Sequence, residues 1–358
     1  MTVLLRRAVL QLAAVALLLP AAAAASAQSF GRDVAVPLYT PSDVVDGLYR
    51  HWAPPRAAAF VVSAEKLHAA LGTFCAASPG ADVRVGSVRD AWREAAAAWE
   101  RLAAVPIGPL IERRSVRAID FTPTRPQLIE RAVREAPRGP QAMERIGTPA
   151  KGFPALEWLL WTKPVASGSQ ACAYAAEVAA DIVREAGALR AAFEAHGARE
   201  WDNDTAAGAF TEFVNQWVGS AERLRWQEIE RPVREARSTS RTAARFPRHA
   251  SGATASSWVT HWEALRDLAI ASRQEVPQPG QAVIPIELYL HGRGQMALAQ
   301  RWKDNIAQAD AAMRGLSPGA QDRLLAAAKR LASTKRLAEE EVAPALDVSI
   351  GFSDADGD

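Results

Sequence analysis

The chain has 358 residues, 49% of them hydrophobic, and a formal net charge of +2. That length suits one large or two medium domains, and that apolar share excludes a globally disordered chain. A charge so near zero excludes bulk attraction to nucleic acid or to an anionic membrane surface.

Residues 1–27 have the pattern of a signal peptide: Arg6-Arg7, an apolar run from Ala8 to Leu19, then Pro20 and small residues ending in Ala25-Ser26-Ala27. The run is short for a membrane span, and no cysteine directly follows it to carry a lipid. Arg6-Arg7-Ala8 also has the paired arginines of a twin-arginine signal, but an ordinary secretion signal is the preferred reading. Removing these residues takes away two arginines and no acids, leaving 40 basic against 40 acidic side chains. No later stretch is apolar enough to span a bilayer. The only two cysteines, Cys75 and Cys172, sit at expected loop–helix junctions. In an exported chain an even pair is expected to form a disulfide. Closing a loop of about 100 residues would contribute about 4–5 kcal/mol in the chain-entropy model.

Residues 28–42 are aperiodic and contain proline, as an arm or linker would. From 43 to 74 the pattern is helical, with Phe60, Ala64, Leu67 and Leu71 on one face. Ser78-Pro79-Gly80 breaks it. Val88, Trp92, Ala95, Trp99 and Leu102 predict a second helix, ended by Pro106-Ile107-Gly108-Pro109. Residues 110–126 read as an irregular connection holding Ile119-Asp120-Phe121. A short buried helix is expected over 151–164, with Gly152 before it and Pro164 closing it. Leu156, Leu159 and Leu160 share one face there, flanked by Trp158 and Trp161, and Glu157 is the sole acid. A helix over 172–195 follows. After His196-Gly197 a second set begins, with Phe210, Phe213, Val214, Trp217 and Leu224 as its first stripe. An arginine-rich connection lies between Pro232 and Phe246-Pro247, and Trp258, Trp262 and Leu265 mark the next helix. Helices over 285–313 and 319–344 complete the chain. The pattern predicts an all-α protein of two antiparallel helical bundles, residues 28–197 and 198–358. The two halves share a faint repeat: a Trp-anchored helix runs into a proline break at 91–109 and again at 216–232.

The run Gly152-Phe153-Pro154-Ala155-Leu156-Glu157-Trp158-Leu159-Leu160-Trp161 resembles the G-x-H-x-x-E signature of the imelysin-like family of bacterial periplasmic proteins. The ending Ser349-Ile350-Gly351-Phe352-Ser353-Asp354-Ala355-Asp356-Gly357-Asp358 is similar to the family's S-I-G-F-N-x-x-D-G-D. The Ala91-Trp92 to Gly108-Pro109 pattern and the Ile119-Asp120-Phe121 turn also look like the family. The resemblance implies a two-bundle helical fold, a periplasmic location and a link to iron acquisition. It also brings a peptidase label, and in some members a proposed metal site built from the motif's His and Glu with acids from neighbouring helices. Here Pro154 stands at the histidine position, and the acidic position on the 91–109 helix falls at Ala103. Glu157 and Asp120 remain, and two carboxylates without the histidine make a poor zinc or iron site.

The chain is therefore expected to be a non-catalytic periplasmic accessory or binding protein with no cofactor and no metal ligands. Glu157, Asp120, Trp158 and Trp161 are the candidate binding residues, in a groove between the bundles that takes an unidentified ligand or periplasmic protein partner. Glu157 is expected to be buried and paired with an arginine or with donors from 110–126. Two alternatives stay open: a metallopeptidase or metal-binding protein holding a divalent metal or iron at a rearranged site, and a pure interaction module. The module would use the stripe Arg231, Arg234, Arg237, Arg241, Arg245 and Arg248, although a solvated face neutralised by glutamates is the simpler reading. No nucleophile motif, phosphate loop or close histidine pair appears. The six scattered histidines read as surface or internally satisfied. Asp354, Asp356 and Asp358 imitate the start of a calcium loop that the chain does not complete.

Overall fold

A computed structural model describes residues 35–78, 85–239, 244–272 and 275–351. The expected signal peptide, the break at Pro79-Gly80, Arg241 and the tail from Phe352 lie outside the described residues. Those described contain helices and loops and no strand.

The helix α1 (Pro41–Asp46) starts inside the segment expected as an arm. Thr40 caps it: its hydroxyl accepts from the Asp43 N–H while the Asp43 carboxylate accepts from the Thr40 N–H. It passes through a π-helical stretch, Gly47–Trp52, into α2 (Ala53–Ala76). α3 spans Val85–Ala103. The connection expected as irregular holds two short helices, α4 (Pro109–Glu112) and α5 (Ser115–Ile119). After α6 (Pro126–Glu135) and α7 (Gly139–Glu144), the motif forms α8 (Gly152–Glu157) and a π-helical stretch, Trp158–Thr162. α9 (Gln170–Ala198) is capped by the Ser169 hydroxyl, and α10 (Asn203–Glu222) by the Asp202 carboxylate. A π-helical stretch, Arg223–Glu230, leads into α11 (Arg231–Ser238), and α12 (Thr254–Ala269) follows. The helix expected over 285–313 is two, α13 (Ile286–Gly292) and α14 (Met296–Met313). They are parted where Gly294 takes a φ of +76°. α15 (Gln321–Leu337), a π-helical stretch Ala338–Val342 and α16 (Ala343–Ala345) end the described chain.

The π-helical stretches share a cause. Each ends two residues before a proline: Trp52 before Pro54, Thr162 before Pro164, Glu230 before Pro232, Val342 before Pro344. Proline donates no N–H and its ring crowds the carbonyl four residues back, so the preceding turn widens.

α2 packs between α3 and α9, with α8 lying against α3 and α9. α10, the 223–230 stretch, α12, α14 and α15 pack together, and α12 also packs on α3. The N-terminal segment crosses between these groups. α1 packs on α10, the Tyr39 hydroxyl donates to the Pro277 carbonyl at 2.6 Å, and Pro37 and Tyr39 pass tightly against Gly292. Several buried tryptophans tie helices together through their indole N–H groups, whereas that of Trp52 finds no partner among the described residues. Trp92 donates to the Phe153 carbonyl, Trp217 to that of Leu265 and Trp302 to that of Ala269. Cys75 and Cys172 are disulfide-bonded, their Cα atoms 5.5 Å apart, fastening the end of α2 to the start of α9.

Candidate functional site

Glycine at the head of the motif has a steric reason. Gly152 has a φ of +78°, and a Cβ there would lie 2.3 Å from the Ile119 carbonyl oxygen. That contact sets the start of α8 directly on the end of α5, so Asp120 and Glu157 are held on adjacent elements. Both line a cavity of about 1100 Å³. The side facing them comes from the 223–230 stretch, α11, the 244–250 loop and α12.

Arg248 lies at the inner end of this cavity, its side chain 6% exposed. One terminal nitrogen donates to both Asp120 oxygens at 2.8 and 2.7 Å, and Nε donates to Glu100 Oε1 at 3.1 Å. The backbone of Arg248 is left-handed, with a φ of +57°, a conformation that costs a non-glycine residue about 1–3 kcal/mol. Burial disfavours its charge, but Asp120, Glu100 and Glu157 hold the guanidinium above its ordinary pKa. Asp120 also accepts from the Trp99 indole at 2.9 Å.

Glu157 is 8% exposed. Its Oε1 accepts from the Ser251 N–H at 2.9 Å and from the Ser251 hydroxyl at 2.7 Å. These donors come from the loop before α12. The 110–126 connection supplies no donor to Glu157; it supplies Asp120, which binds Arg248. Arg93 of α3 donates to the Ser251 carbonyl and so pins the same loop from the other side.

Glu100 is the acid that α3 brings to the site. Ala103, where alignment of the motif puts the acidic position, is buried on the same face one turn later. Glu100 Oε1 accepts from Arg248 and from the Ser257 hydroxyl at 2.8 Å. Burial pushes its carboxyl up to about 7, further than Arg248 and Ser257 pull it down. Glu228 stands opposite, accepting from His261 Nδ1 at 3.0 Å, with Arg223 Nε 3.7 Å away. Burial pushes Glu228 up too, but His261, Arg223 and Arg248 together hold it below the usual carboxylate range. Arg223 also donates to the carbonyls of Ala103 and Ala104.

Of the expected aromatic pair, only Trp158 lines the cavity. Trp161 points elsewhere: it meets Trp92 edge to face at 5.1 Å, with Arg89 and Arg93 over its ring. The expected arginine stripe is divided. Arg231, Arg234 and Arg237 lie on α11 and pair with Glu235, Glu230 and Asp322. Arg245 is exposed at the cavity mouth, and Arg248 is turned inward. Glu100, Ser251, Glu228 and His261 carry no site reading in sequence, and Arg248 enters it only as the last member of the stripe. Glu100 leaves one signal, being the acid on a face it shares with Ala96 and Ala103.

The donor set does not fit a bound metal. Pro154 offers no side-chain ligand, and the Arg248 guanidinium already takes up the oxygens of Asp120 and one of Glu100. Among the described residues no group of three His, Cys, Asp or Glu side chains converges closely enough to hold an ion.

Comparison with known proteins gives the fold a context. The model of the peptidase M75 (imelysin) family matches residues 53–344. A crystal structure of an imelysin-like protein from Psychrobacter arcticum 273-4 superposes with a TM-score of 0.71 at 15% identity, covering 89% of this chain and 100% of that one. A second, from Parabacteroides distasonis ATCC 8503 and described as an iron-regulated protein A precursor, gives a TM-score of 0.65 at 13% identity. It covers 83% of this chain and 93% of its own. No curated protein matches the sequence significantly. At such identities the structures speak for the fold alone, but the family model spans most of the sequence, and the chain belongs to the imelysin family.

Proposed function

We propose that this chain is a non-catalytic binding or accessory protein of the periplasm, linked to iron acquisition, whose ligand or partner occupies the cavity beside α8. Arg248 carries the reading. A cation fixed to the protein sits among Asp120, Glu100 and Glu157, where a hydrolytic centre would need an exchangeable metal with an open coordination position. The iron link rests on family membership and on the description of the Parabacteroides distasonis protein as an iron-regulated precursor. The periplasmic location rests on the same two observations and on the pattern of residues 1–27. A division into bundles 28–197 and 198–358 belongs to this reading: α3, α5 and α8 wall one side of the cavity, and the 223–230 stretch and α12 the other. No described helix is long and apolar enough to cross a membrane.

The test is elemental analysis and a peptidase assay on protein purified without chelator. The expected result is no stoichiometric transition metal and no peptide cleavage. Chelator-sensitive cleavage lost on Glu157→Ala would establish a metallopeptidase with a rearranged site instead.

A further inference from the structure

Four carboxylates and two guanidinium groups meet at the inner end of the cavity: Glu100, Asp120, Glu157 and Glu228 against Arg223 and Arg248. If His261 is counted as protonated, the cations are three, and the four acids still outnumber them by one. The other charged groups around the cavity are Arg231, Glu235, Arg245 and His249, all exposed at its mouth. Water and salt screen them there, and Arg231 and Glu235 face each other at 3.6 Å. The largely buried cluster is thus short of a positive charge.

It is also short of donors. Among the described residues, no donor reaches the second oxygen of Glu100, Glu157 or Glu228, whose hydrogen bonds all fall on Oε1. Glu157 is 8% exposed and lines the cavity, so its free oxygen can be satisfied only from the cavity side. Glu100 answers the same deficit by keeping a proton, its carboxyl raised to about 7 by burial. A bare ion suits this space badly, because no three ligand side chains converge among the described residues and the cavity is about 1100 Å³. Trp158, half-buried, forms part of the wall beside the buried Trp99 and Phe246, a surface suited to an alkyl stem.

We infer that the cavity binds a small organic cation, an alkylammonium or alkylguanidinium group, whose N–H donors meet the free oxygens of Glu100, Glu157 and Glu228. The inference rests on the cavity being a ligand site, as proposed above. Binding exchanges one charge for another: the ligand arrives protonated, and the Glu100 proton leaves to solvent. Affinity should therefore rise with pH, by about tenfold from pH 6 to pH 8 for a carboxyl titrating near 7.

The test is calorimetric titration of the full chain at pH 6 and pH 8, in two buffers of different ionisation enthalpy. Agmatine serves as a free cation, and acetyl-Gly-Arg-Gly-amide presents the same group on a peptide. Citrate, glucose and Mn²⁺ are titrated alongside. Agmatine or the peptide should bind, about tenfold more tightly at pH 8, with proton release at pH 6 seen as buffer-dependent heat; which of the two binds better tells free cation from side chain. Glu100→Gln, checked for folding by circular dichroism, should bind about tenfold more weakly at pH 8 and lose the pH dependence. The wild-type titrations decide the matter if that variant does not fold. No binding of either cation, or binding indifferent to pH, overturns the inference. Citrate or glucose binding in their place overturns it while leaving the cavity a ligand site. Mn²⁺ held in preference to both overturns it and the non-metal reading of the site together.

Discussion

Without the Arg248 side chain, Asp120 and Glu100 would lie mostly buried with no cation between them. Breaking a buried pair in this way costs about 3–5 kcal/mol, so Arg248→Met should lower the urea midpoint sharply in far-ultraviolet circular dichroism. Arg248→Lys keeps the charge but cannot reach Asp120 and Glu100 as one planar fork, and its loss should be intermediate. Glu157→Gln keeps an acceptor for the Ser251 N–H and hydroxyl, so its cost should be about 1–2 kcal/mol. Glu100 makes a prediction in pH. Its folded pKa of about 7 lies above the ordinary value of 4.5, so the folded state favours the protonated acid. Stability from this group is complete below pH 4.5 and is lost as pH rises through 7. The melting temperature of Glu100→Gln, compared with wild type, should therefore improve from pH 5 to pH 8. An unchanged difference across that range would dismiss the shift. Sequence reading reached only part of this cluster. Glu157, Asp120 and Trp158 carry a local signal in the motif and the turn. Arg248 does not, because its partners are 128 and 148 residues away. Its place in the arginine stripe holds one basic face only on a continuous helix, whereas α11 ends at Ser238 and Arg248 takes a left-handed turn after Pro247.

At the scale of elements, α8 depends on its approach to α5. Gly152→Ala must accommodate both a left-handed backbone and a Cβ against the Ile119 carbonyl, and should destabilise by about 2–4 kcal/mol. A thermal melt within about 2 °C of wild type would show that α5 can move aside. The helices themselves were legible because their apolar stripes are strong and local: the predicted 88–102 and 172–195 lie within α3 and α9. The π-helical stretches were not read, though each is written in a proline two residues on. Periodicity tables treat such a proline as a stop, whereas a helix already anchored by tertiary packing widens and continues.

The disulfide acts on the whole molecule. It joins residues 97 apart in sequence, and the entropy removed from the unfolded chain corresponds to about 4–5 kcal/mol. Reduced protein should remain helical at 25 °C but melt well below the oxidised form in a calorimetric scan. Equal melting temperatures would mean that the bridge adds nothing to the packing of α2 on α9. A different consequence lies in how the N-terminal segment is seated. Tyr39 is held by Pro277, Gly47 lies against the backbone of Ala282 and Val283, and α1 rests on α10. A chain emerging from a ribosome or an export channel releases its amino end first, yet the part of its seat around Pro277, Ala282 and Gly292 is made more than 200 residues later. Until then the seat is incomplete, and the first segment must wait, available to a chaperone or to another nascent copy. Synthesis stalled before residue 277 should leave a product that aggregates, whereas stalling after residue 292 should leave one that has its amino end tucked in.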